Sequence, residues 1–243
     1  MIRTDLRDDV AWITIDRPEK LNALHLEGWD DLRAALDRAS AEARVAVVTG
    51  AGDAFCAGDD IATLAELDTE ADVRALSDRL YECLHGVETL SIPVIAAVNG
   101  LAYGGGFELV AAADLAVAVE DATFALPETR IGAYPPYAMA RVGDLCGKKR
   151  LTELALTGEP IDAVTAREWG LVNRVVPADE LPDAVGTLVG RIVESPAPAT
   201  RLAKAYAAVA LSDADERERI AGGFARVAAS EACRDAARAF LER

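Results

Sequence analysis

Histidine and cysteine, on which most metal sites and many nucleophilic active sites depend, are scarce in this sequence. The 243 residues include two histidines and four cysteines: His25, His85, Cys56, Cys83, Cys146 and Cys233. The cysteines are far apart, with no CxxC pair and no histidine-rich segment near them, so neither a zinc site nor a disulfide framework is expected. We predict that the thiols are small buried apolar groups, and that the protein uses neither a histidine-based triad nor a metal ion.

Long apolar segments are also missing. No apolar run reaches the roughly 20 residues needed to span a bilayer, and the start, MIRTD, lacks the basic and apolar stretches of a secretory signal. The composition, 51% hydrophobic and 27% charged, excludes a disordered chain. We therefore expect a soluble, cytoplasmic protein that makes no membrane contact, with one or two domains by length.

Positive charge is limited. There are 41 acidic residues against 25 basic ones, and the formal net charge is −16. Such a surface repels nucleic-acid phosphates and anionic lipids, so neither is an expected partner. A cytoplasm with high salt explains this balance, because salt screens the self-repulsion. An ordinary acidic protein from a low-salt organism is the alternative.

Short apolar segments alternate with helical patterns in the first two thirds of the chain. The apolar segments predict strands at 10–15, 45–49, 92–98, 116–119 and 122–124. Helical spacing predicts helices at 26–43, 60–67, 71–90 and 105–114. Strands that are apolar on both faces and alternate with helices indicate an α/β fold with largely parallel pairing.

The final third is rich in Ala, Arg and Glu, and its pattern predicts helices. They are expected near 148–157, 162–169, 179–194, 197–211, 213–232 and 233–242. We place a boundary near Ser195-Pro196, which divides the chain into a core, 1–195, and a helical region, 196–243.

A glycine triplet, Gly104-Gly105-Gly106, follows a predicted strand and precedes a predicted helix. Glycines let a ligand approach the backbone closely. The amides at a helix start have no internal partner and carry partial positive charge, so they can bind developing negative charge on an oxygen. Glu108 would lie in the first turn of this helix. Glycines also make ordinary turns, so the triplet alone is weak evidence of a site.

Two further segments are candidates. In FCAGDDI, 55–61, a turn at Gly58-Asp59 can supply a second amide, while Asp59 or Asp60 caps a helix that begins near Ile61. Helix capping by itself is the alternative explanation of both aspartates, with no role in a functional site. In FALPE, 124–128, Glu128 follows a proline, and an acid in a loop is usually solvated.

Together the three segments resemble the enoyl-CoA hydratase/isomerase family, also called the crotonase family. The segment IDRPEKLNAL, 15–24, is similar to the family's Arg-Pro…Asn-Ala-Leu motif. LTGEPI, 156–161, and GLV, 170–172, are similar to later family motifs, and the ending at 231–241 is similar too. The resemblance spans nearly the whole chain.

The resemblance implies a fold, a substrate class and a set of site residues. The fold is a spiral of ββα units followed by a helical carboxy-terminal region that builds trimers, often paired as hexamers. The substrate is an acyl-CoA thioester, with CoA as part of the substrate and no separate cofactor. The backbone amides of Asp59 and Gly105 would form the oxyanion hole. The residues implied to line the CoA groove are Leu21, Ala23, Ala57, Asp60 and Ile61.

Two glutamates match those of the family's hydratases. By resemblance, Glu108 activates water and Glu128 exchanges a proton at C2. Hydratases usually follow the second glutamate with a glycine-rich stretch, whereas this chain has Pro135-Pro136. Proline lacks an amide proton, so we expect a backbone contact to the water to be lost at Pro136.

Enoyl-CoA hydratase is thus the main functional interpretation. A double-bond isomerase that uses a single acid is the alternative, although the retention of both glutamates argues against it. Thioester hydrolysis and C–C cleavage are further chemistries on the same scaffold. An RNA-binding role, found in some relatives, conflicts with the negative charge, and a purely structural subunit is a last alternative.

Overall fold

The structure is a computed structural model of the 243-residue chain. It describes residues 1–209 together with 235, 238, 239, 241 and 242. The helix predicted near 213–232 and most of that predicted near 233–242 lie outside the described residues.

The strands are β1 Ile2–Arg7, β2 Val10–Ile15, β3 Val45–Gly50, β4 Ala54–Cys56, β5 Val94–Val98, β6 Leu101–Tyr103, β7 Leu115–Val119, β8 Thr123–Ala125, β9 Ile161–Asp162 and β10 Arg174–Val176. The helices are α1 Leu26–Glu42, α2 Ile61–Glu66, α3 Glu70–Thr89, α4 Gly105–Ala112, α5 Pro136–Cys146, α6 Lys148–Thr157, α7 Ala163–Glu168, α8 Leu181–Val193 and α9 Ala197–Val209. Short 3-10 turns cover Pro18–Lys20, Glu128–Ile131 and Ala178–Glu180.

The strands form two sheets. The larger has the order β1-β2-β3-β5-β7-β10 and is parallel from β2 to β10, with β1 antiparallel to β2. The smaller has the order β4-β6-β8-β9, in which β4, β6 and β8 are parallel and β9 is antiparallel to β8. The prediction of an α/β fold with largely parallel pairing is confirmed.

The chain alternates between the two sheets in repeated turns. A strand of the large sheet is followed by a short strand of the small sheet: β3 by β4, β5 by β6, and β7 by β8. Helices follow these pairs, α2 and α3 after the first and α4 after the second. This is the spiral of ββα units that the resemblance implied. Because β4, β6 and β8 are parallel neighbours, their carboxyl ends lie at one edge of the small sheet.

The large sheet lies at the centre of the core because apolar residues occupy both faces of its inner strands. All five residues of β5 are buried, as are the first four of β3. Helix α1 packs an apolar face into the same core, formed by Trp29, Leu32, Leu36 and Ala39. Each such large side chain contributes about 1.5–3 kcal/mol through its removal from water.

The predicted boundary near Ser195-Pro196 coincides with the break between α8 and α9. Arg44 joins this break to the core by donating to the carbonyl oxygens of Val193, at 2.7 Å, and Ser195. Helix α9 is attached by Lys204, whose Nζ donates to the Val87 carbonyl at 2.8 Å and contacts Asp114 Oδ2 at 2.6 Å. The division into a core and a separate oligomerisation region stays a prediction.

None of the helices within the described ranges is both long enough and apolar enough to cross a membrane.

Asn22 joins the loop before α1 to the turn between β3 and β4. Its side chain is fully buried and its φ of 60° lies in the left-handed region, which Asn tolerates better than most residues. Oδ1 accepts from the Arg17 amide at 2.9 Å, and Nδ2 donates to the carbonyls of Ala51 at 2.9 Å and Ala54 at 2.7 Å.

We expect Asn22→Asp to destabilise the protein by about 3 kcal/mol. Aspartate keeps the backbone conformation and the size of the side chain but replaces two donated hydrogen bonds by a buried oxygen facing two carbonyls. Urea denaturation followed by circular dichroism measures the loss. The exposed Asp121→Asn variant is the control and should match the parent. An unchanged unfolding midpoint in Asn22→Asp would contradict this account.

Candidate active site

The three candidate segments meet because each follows one of the parallel strands β4, β6 and β8. Gly58 lies in close contact with the second segment. A Cβ on Gly58 would lie 2.7 Å from the Gly105 amide nitrogen and 2.8 Å from the Tyr103 carbonyl oxygen. Its φ of +88° is also a conformation that glycine adopts without strain. The residue after Gly58, Asp59, is thereby brought beside Gly105.

The backbone amides of Asp59 and Gly105 are both available to a ligand. Leu24 donates to the Gly58 carbonyl at 2.8 Å and accepts from the Asp60 amide at 2.9 Å, which anchors the backbone on both sides of Asp59. Gly105 is the first residue of α4, where an amide has no intrahelical partner. Within the described part of the chain, neither amide donates to a protein oxygen. This is a pair of fixed donors suited to a developing oxyanion.

Asp60, and not Asp59, is the cap of α2. Its Oδ1 accepts from the Ala62 amide at 3.0 Å, and its Oδ2 accepts from Arg17 at 2.6 Å. Partial burial would raise the pKa of Asp60, but the hydrogen bonds from Arg17 and Ala62 outweigh it and lower that pKa. The sequence left open which of the two aspartates caps the helix.

The Asp59 carboxyl group is held by a tryptophan. Its Oδ1 accepts from Trp29 Nε1 at 2.8 Å. Burial raises the pKa of Asp59 to about 6, although the bond from Trp29 acts in the opposite direction. Trp29 is a core residue of α1, and the sequence analysis did not anticipate its contact with the candidate site.

Glu108 lies in the first turn of α4 and is 1% exposed. Its Oε1 accepts from the Ala138 amide at 2.8 Å. Burial raises the pKa of Glu108 to about 8; the amides of Ala138 and Tyr137 oppose this shift, and the charge of Asp59 adds to it. A buried carboxyl group at this position therefore keeps its proton over much of the neutral range.

The amide that reaches Glu108 comes from α5, a helix that the sequence analysis did not predict. Pro136 is its first residue, a position where proline is favoured because the missing amide would have had no intrahelical partner. The proline pair was interpreted as the loss of a backbone contact to water. That expectation stays a prediction. The proline pair also starts a helix, and the amide of Ala138 in that helix's first turn contacts the glutamate directly.

Glu128 begins the 3-10 turn after β8, and its carboxyl group lies close to the glycine triplet. A Cβ on Gly104 would lie 3.2 Å from Glu128 Oε1. Glu128 Oε2 is buried and has no hydrogen-bond partner among the described residues. Burial, together with the nearby charges of Glu108 and Asp59, raises the pKa of Glu128 well above its ordinary value. Three carboxyl groups thus influence one another around the glycine triplet.

The residues implied for the CoA groove form one strip along the 21–24 and 57–61 segments. The Ala57 amide donates to the Leu21 carbonyl at 3.0 Å, and Leu21 itself is 50% exposed. Arg17 links Ala23 to Asp60, because its Nη1 donates to the Ala23 carbonyl at 3.2 Å as well as to the Asp60 carboxylate. Ile61 follows as the first residue of α2. The structure brings all five residues together, and their role in binding stays a prediction.

Comparison with known proteins shows the family to which the chain belongs. Residues 5–243 match the family model for enoyl-CoA hydratase/isomerase. A mevalonyl-coenzyme A hydratase of Aspergillus fumigatus is 38% identical over 184 residues, which cover 71% of this chain and 64% of that protein, just under two thirds of its length. A carnitinyl-CoA dehydratase of Salmonella agona is 40% identical over 187 residues, or 75% of this chain and 70% of that protein.

Solved structures agree in fold. The crystal structure of an enoyl-CoA hydratase/isomerase from Mycobacterium paratuberculosis superposes with a TM-score of 0.91 at 30% identity, covering 98% of this chain and 97% of that one. An enoyl-CoA hydratase from Mycobacterium avium subsp. paratuberculosis K-10 gives a TM-score of 0.89 at 29% identity, with the same coverage. The chain therefore belongs to the enoyl-CoA hydratase/isomerase family of enzymes and has the crotonase fold.

Proposed function

We propose that the protein is an enoyl-CoA hydratase, which catalyses the reversible syn addition of water to a trans-2-enoyl-CoA thioester. The observation that carries this proposal is a pair of acids, buried Glu108 and half-buried Glu128, whose charges act on each other close to the two unpaired amides of Asp59 and Gly105. Hydration needs a base for the water and an acid for the α-carbon, and a pair of acids with raised pKa values suits both tasks.

The amides of Asp59 and Gly105 bind the thioester oxygen. As water adds to C3, electrons move from the C2–C3 double bond towards the carbonyl, and the oxygen gains enolate charge. Two fixed donors stabilise this charge without reorganising. Loss of one such donor typically costs on the order of 100- to 1000-fold in rate.

Glu108 and Glu128 divide the proton transfers. Ionised Glu108 takes a proton from water while the oxygen bonds to C3, and protonated Glu128 delivers a proton to C2. Two adjacent buried carboxyl groups resist ionising together, so the reactive form of the pair carries one proton, on Glu128, and it is reached when Glu108 releases its own proton. Of the two, Glu108 ionises more readily, because its Oε1 accepts a hydrogen bond from the Ala138 amide at the start of α5.

The substrate contains its own CoA group, so the proposal includes no separate cofactor. The strip formed by Leu21, Ala23, Ala57, Asp60 and Ile61 is proposed to hold the CoA portion, mainly through backbone groups. The relatives named mevalonyl-coenzyme A hydratase and carnitinyl-CoA dehydratase support addition or removal of water. A double-bond isomerase is the second candidate, because the family description includes isomerases.

We also propose a cytoplasmic homotrimer, or a hexamer of two trimers, in a cell with high internal salt. Exposed apolar side chains on the later helices, such as Leu145, Leu156 and Val164, favour an assembly that covers them. The net charge of −16 favours high salt. The contacts predicted after residue 195 fall largely on residues outside the described ranges. Light scattering at working salt would test the assembly.

We expect Glu108→Gln and Glu128→Gln each to lower kcat for hydration by at least about 100-fold, since each removes one proton-transfer group. The binding of a saturated acyl-CoA should stay within about threefold of the parent. Incubation with a panel of enoyl-CoA thioesters, with products identified by mass and retention, measures both the reaction and its rate. The exposed Glu120→Gln variant is the control. Near-normal hydration in either active-site variant would contradict the assignment, and double-bond migration that needs Glu128 alone would favour the isomerase.

We expect Glu108→Gln to stabilise the protein at alkaline pH. Below pH 4.5 the carboxyl group is protonated in the folded and the unfolded chain. Between 4.5 and about 8 the unfolded chain releases this proton and the folded chain keeps it, so the free energy of unfolding falls as pH rises. Glutamine has no proton to release, so it avoids this loss of stability, and its side-chain oxygen still accepts the hydrogen bond from the Ala138 amide.

Thermal melting at pH 5.5 and pH 8.5 measures the effect. The Tm of Glu108→Gln should exceed that of the parent at pH 8.5, by a margin that shrinks at pH 5.5. The control Glu120→Gln should show no such trend. A margin that is equal at both pH values would show that Glu108 does not keep its proton in the folded protein.

A further inference from the structure

Trp29 contacts both residues whose amides form the proposed oxyanion hole. Its indole Nε1 donates to Asp59 Oδ1 at 2.8 Å. Its ring lies against Gly105, where an added Cβ would be 2.9 Å from Cζ2 and 3.2 Å from Cη2. The tryptophan is fully buried in α1. One rigid side chain therefore joins Asp59 and Gly105, which are 46 positions apart in the sequence.

Only the backbone amide of Asp59 takes part in the proposed reaction, and its carboxyl group has no role in it. A carboxylate at position 59 interacts unfavourably with Glu108 and Glu128, because its charge raises the pKa of both. The same charge would oppose the formation of an enolate. A buried indole N–H needs an acceptor, yet a neutral amide side chain would serve that need equally well. The location of the acceptor, directly on an oxyanion-hole residue, is the feature to be explained.

The backbone around Asp59 explains what such a bond can do. Leu24 holds the Gly58 carbonyl oxygen, which belongs to the same peptide plane as the Asp59 amide. Gly58, with its φ of +88°, has no side chain to resist rotation of that plane. The hydrogen bond from Trp29 restrains the other end of the plane through the Asp59 side chain. The same indole sets the distance to Gly105.

We propose that Trp29 and Asp59 are positioning residues of the oxyanion hole: the indole–carboxyl hydrogen bond and the packing of the indole on Gly105 fix the two amides relative to each other. This proposal rests on the proposed function only in needing a thioester oxygen that gains charge. In this chain, removal of the carboxyl group leaves the N–H without its acceptor beside Gly105.

The test compares three substitutions that separate the hydrogen bond from the charge and from the indole. Asp59→Asn keeps an oxygen that accepts from Trp29 and removes the charge, so its kcat should fall at least about threefold less than that of Asp59→Ala. Asp59→Ala removes the acceptor, and kcat should fall by about 10- to 30-fold with KM nearly unchanged, because the loss is confined to the transition state. Trp29→Phe removes the donor and should lower kcat by a similar factor.

The double variant Trp29→Phe/Asp59→Ala should be no slower than the slower single variant, since both changes break one interaction. Trp29→Phe also leaves space in the core, so thermal melting and acyl-CoA binding accompany each rate. The two aspartate variants decide the question if the tryptophan variant does not fold. Equal losses in Asp59→Asn and Asp59→Ala, or multiplicative losses in the double variant, would overturn the proposal. A rise in KM without a fall in kcat in Asp59→Ala would instead make Asp59 a substrate contact and overturn it too.

These measurements remain informative whichever reaction the wild-type protein catalyses. Hydration and double-bond migration both pass through an enolate held by the same two amides. If the enoyl-CoA panel shows migration and no hydration, the proposed function fails, and the positioning proposal is then tested on the isomerisation rate. If hydration is found and the aspartate variants behave alike, the positioning proposal alone fails.

Discussion

Parallel pairing of β4, β6 and β8 is the constraint on which the rest of the site depends. Each strand is three residues long, and the pairs Cys56–Ala102 and Tyr103–Ala125 lie close to the strands' carboxyl ends. The chain therefore leaves all three strands at one edge of the small sheet. The segments that carry Asp59, Gly105 and Glu128 follow immediately, so they meet although they are far apart in sequence. Ligand sites in open α/β sheets form at such edges for the same reason.

This meeting is close enough that glycine is required. A Cβ on Gly106 would lie 2.1 Å from the Cys56 carbonyl oxygen, and one on Gly58 would lie 2.7 Å from the Gly105 nitrogen. Both distances are impossible for a real side chain, and the contacts are with backbone, which cannot move aside. The glycines thus serve mainly to let α4 and the turn after β4 touch. The unpaired amides are a consequence of that packing: one belongs to the first residue of a helix and the other to the residue after Gly58 in an anchored turn.

The sequence predicted the elements whose signal is local and missed those whose signal depends on distant partners. The strands at Val10–Ile15 and Val45–Gly50 are apolar runs, and α1 has a clear apolar face. Strands β4 and β6 are too short to show a pattern. Helix α5 was missed because the proline pair was compared with a glycine-rich stretch, although proline is common at a helix start. Glu108 and Glu128 came from motifs. The bond from Trp29 to Asp59 spans 30 positions and has no sequence signature.

The formal count of charges overstates the negative charge at the proposed substrate site. An acyl-CoA carries several negative phosphate oxygens, and a net charge of −16 should repel it. Burial raises the pKa of Glu108 to about 8 and that of Glu128 well above its ordinary value, so both groups hold protons that the formal count ignores. Asp60 is ionised but paired with Arg17. The repulsion therefore comes mainly from exposed carboxylates farther away, which salt screens beyond roughly 10 Å. Burial of the acids thus lessens repulsion of the substrate and supplies the proton that the reaction needs.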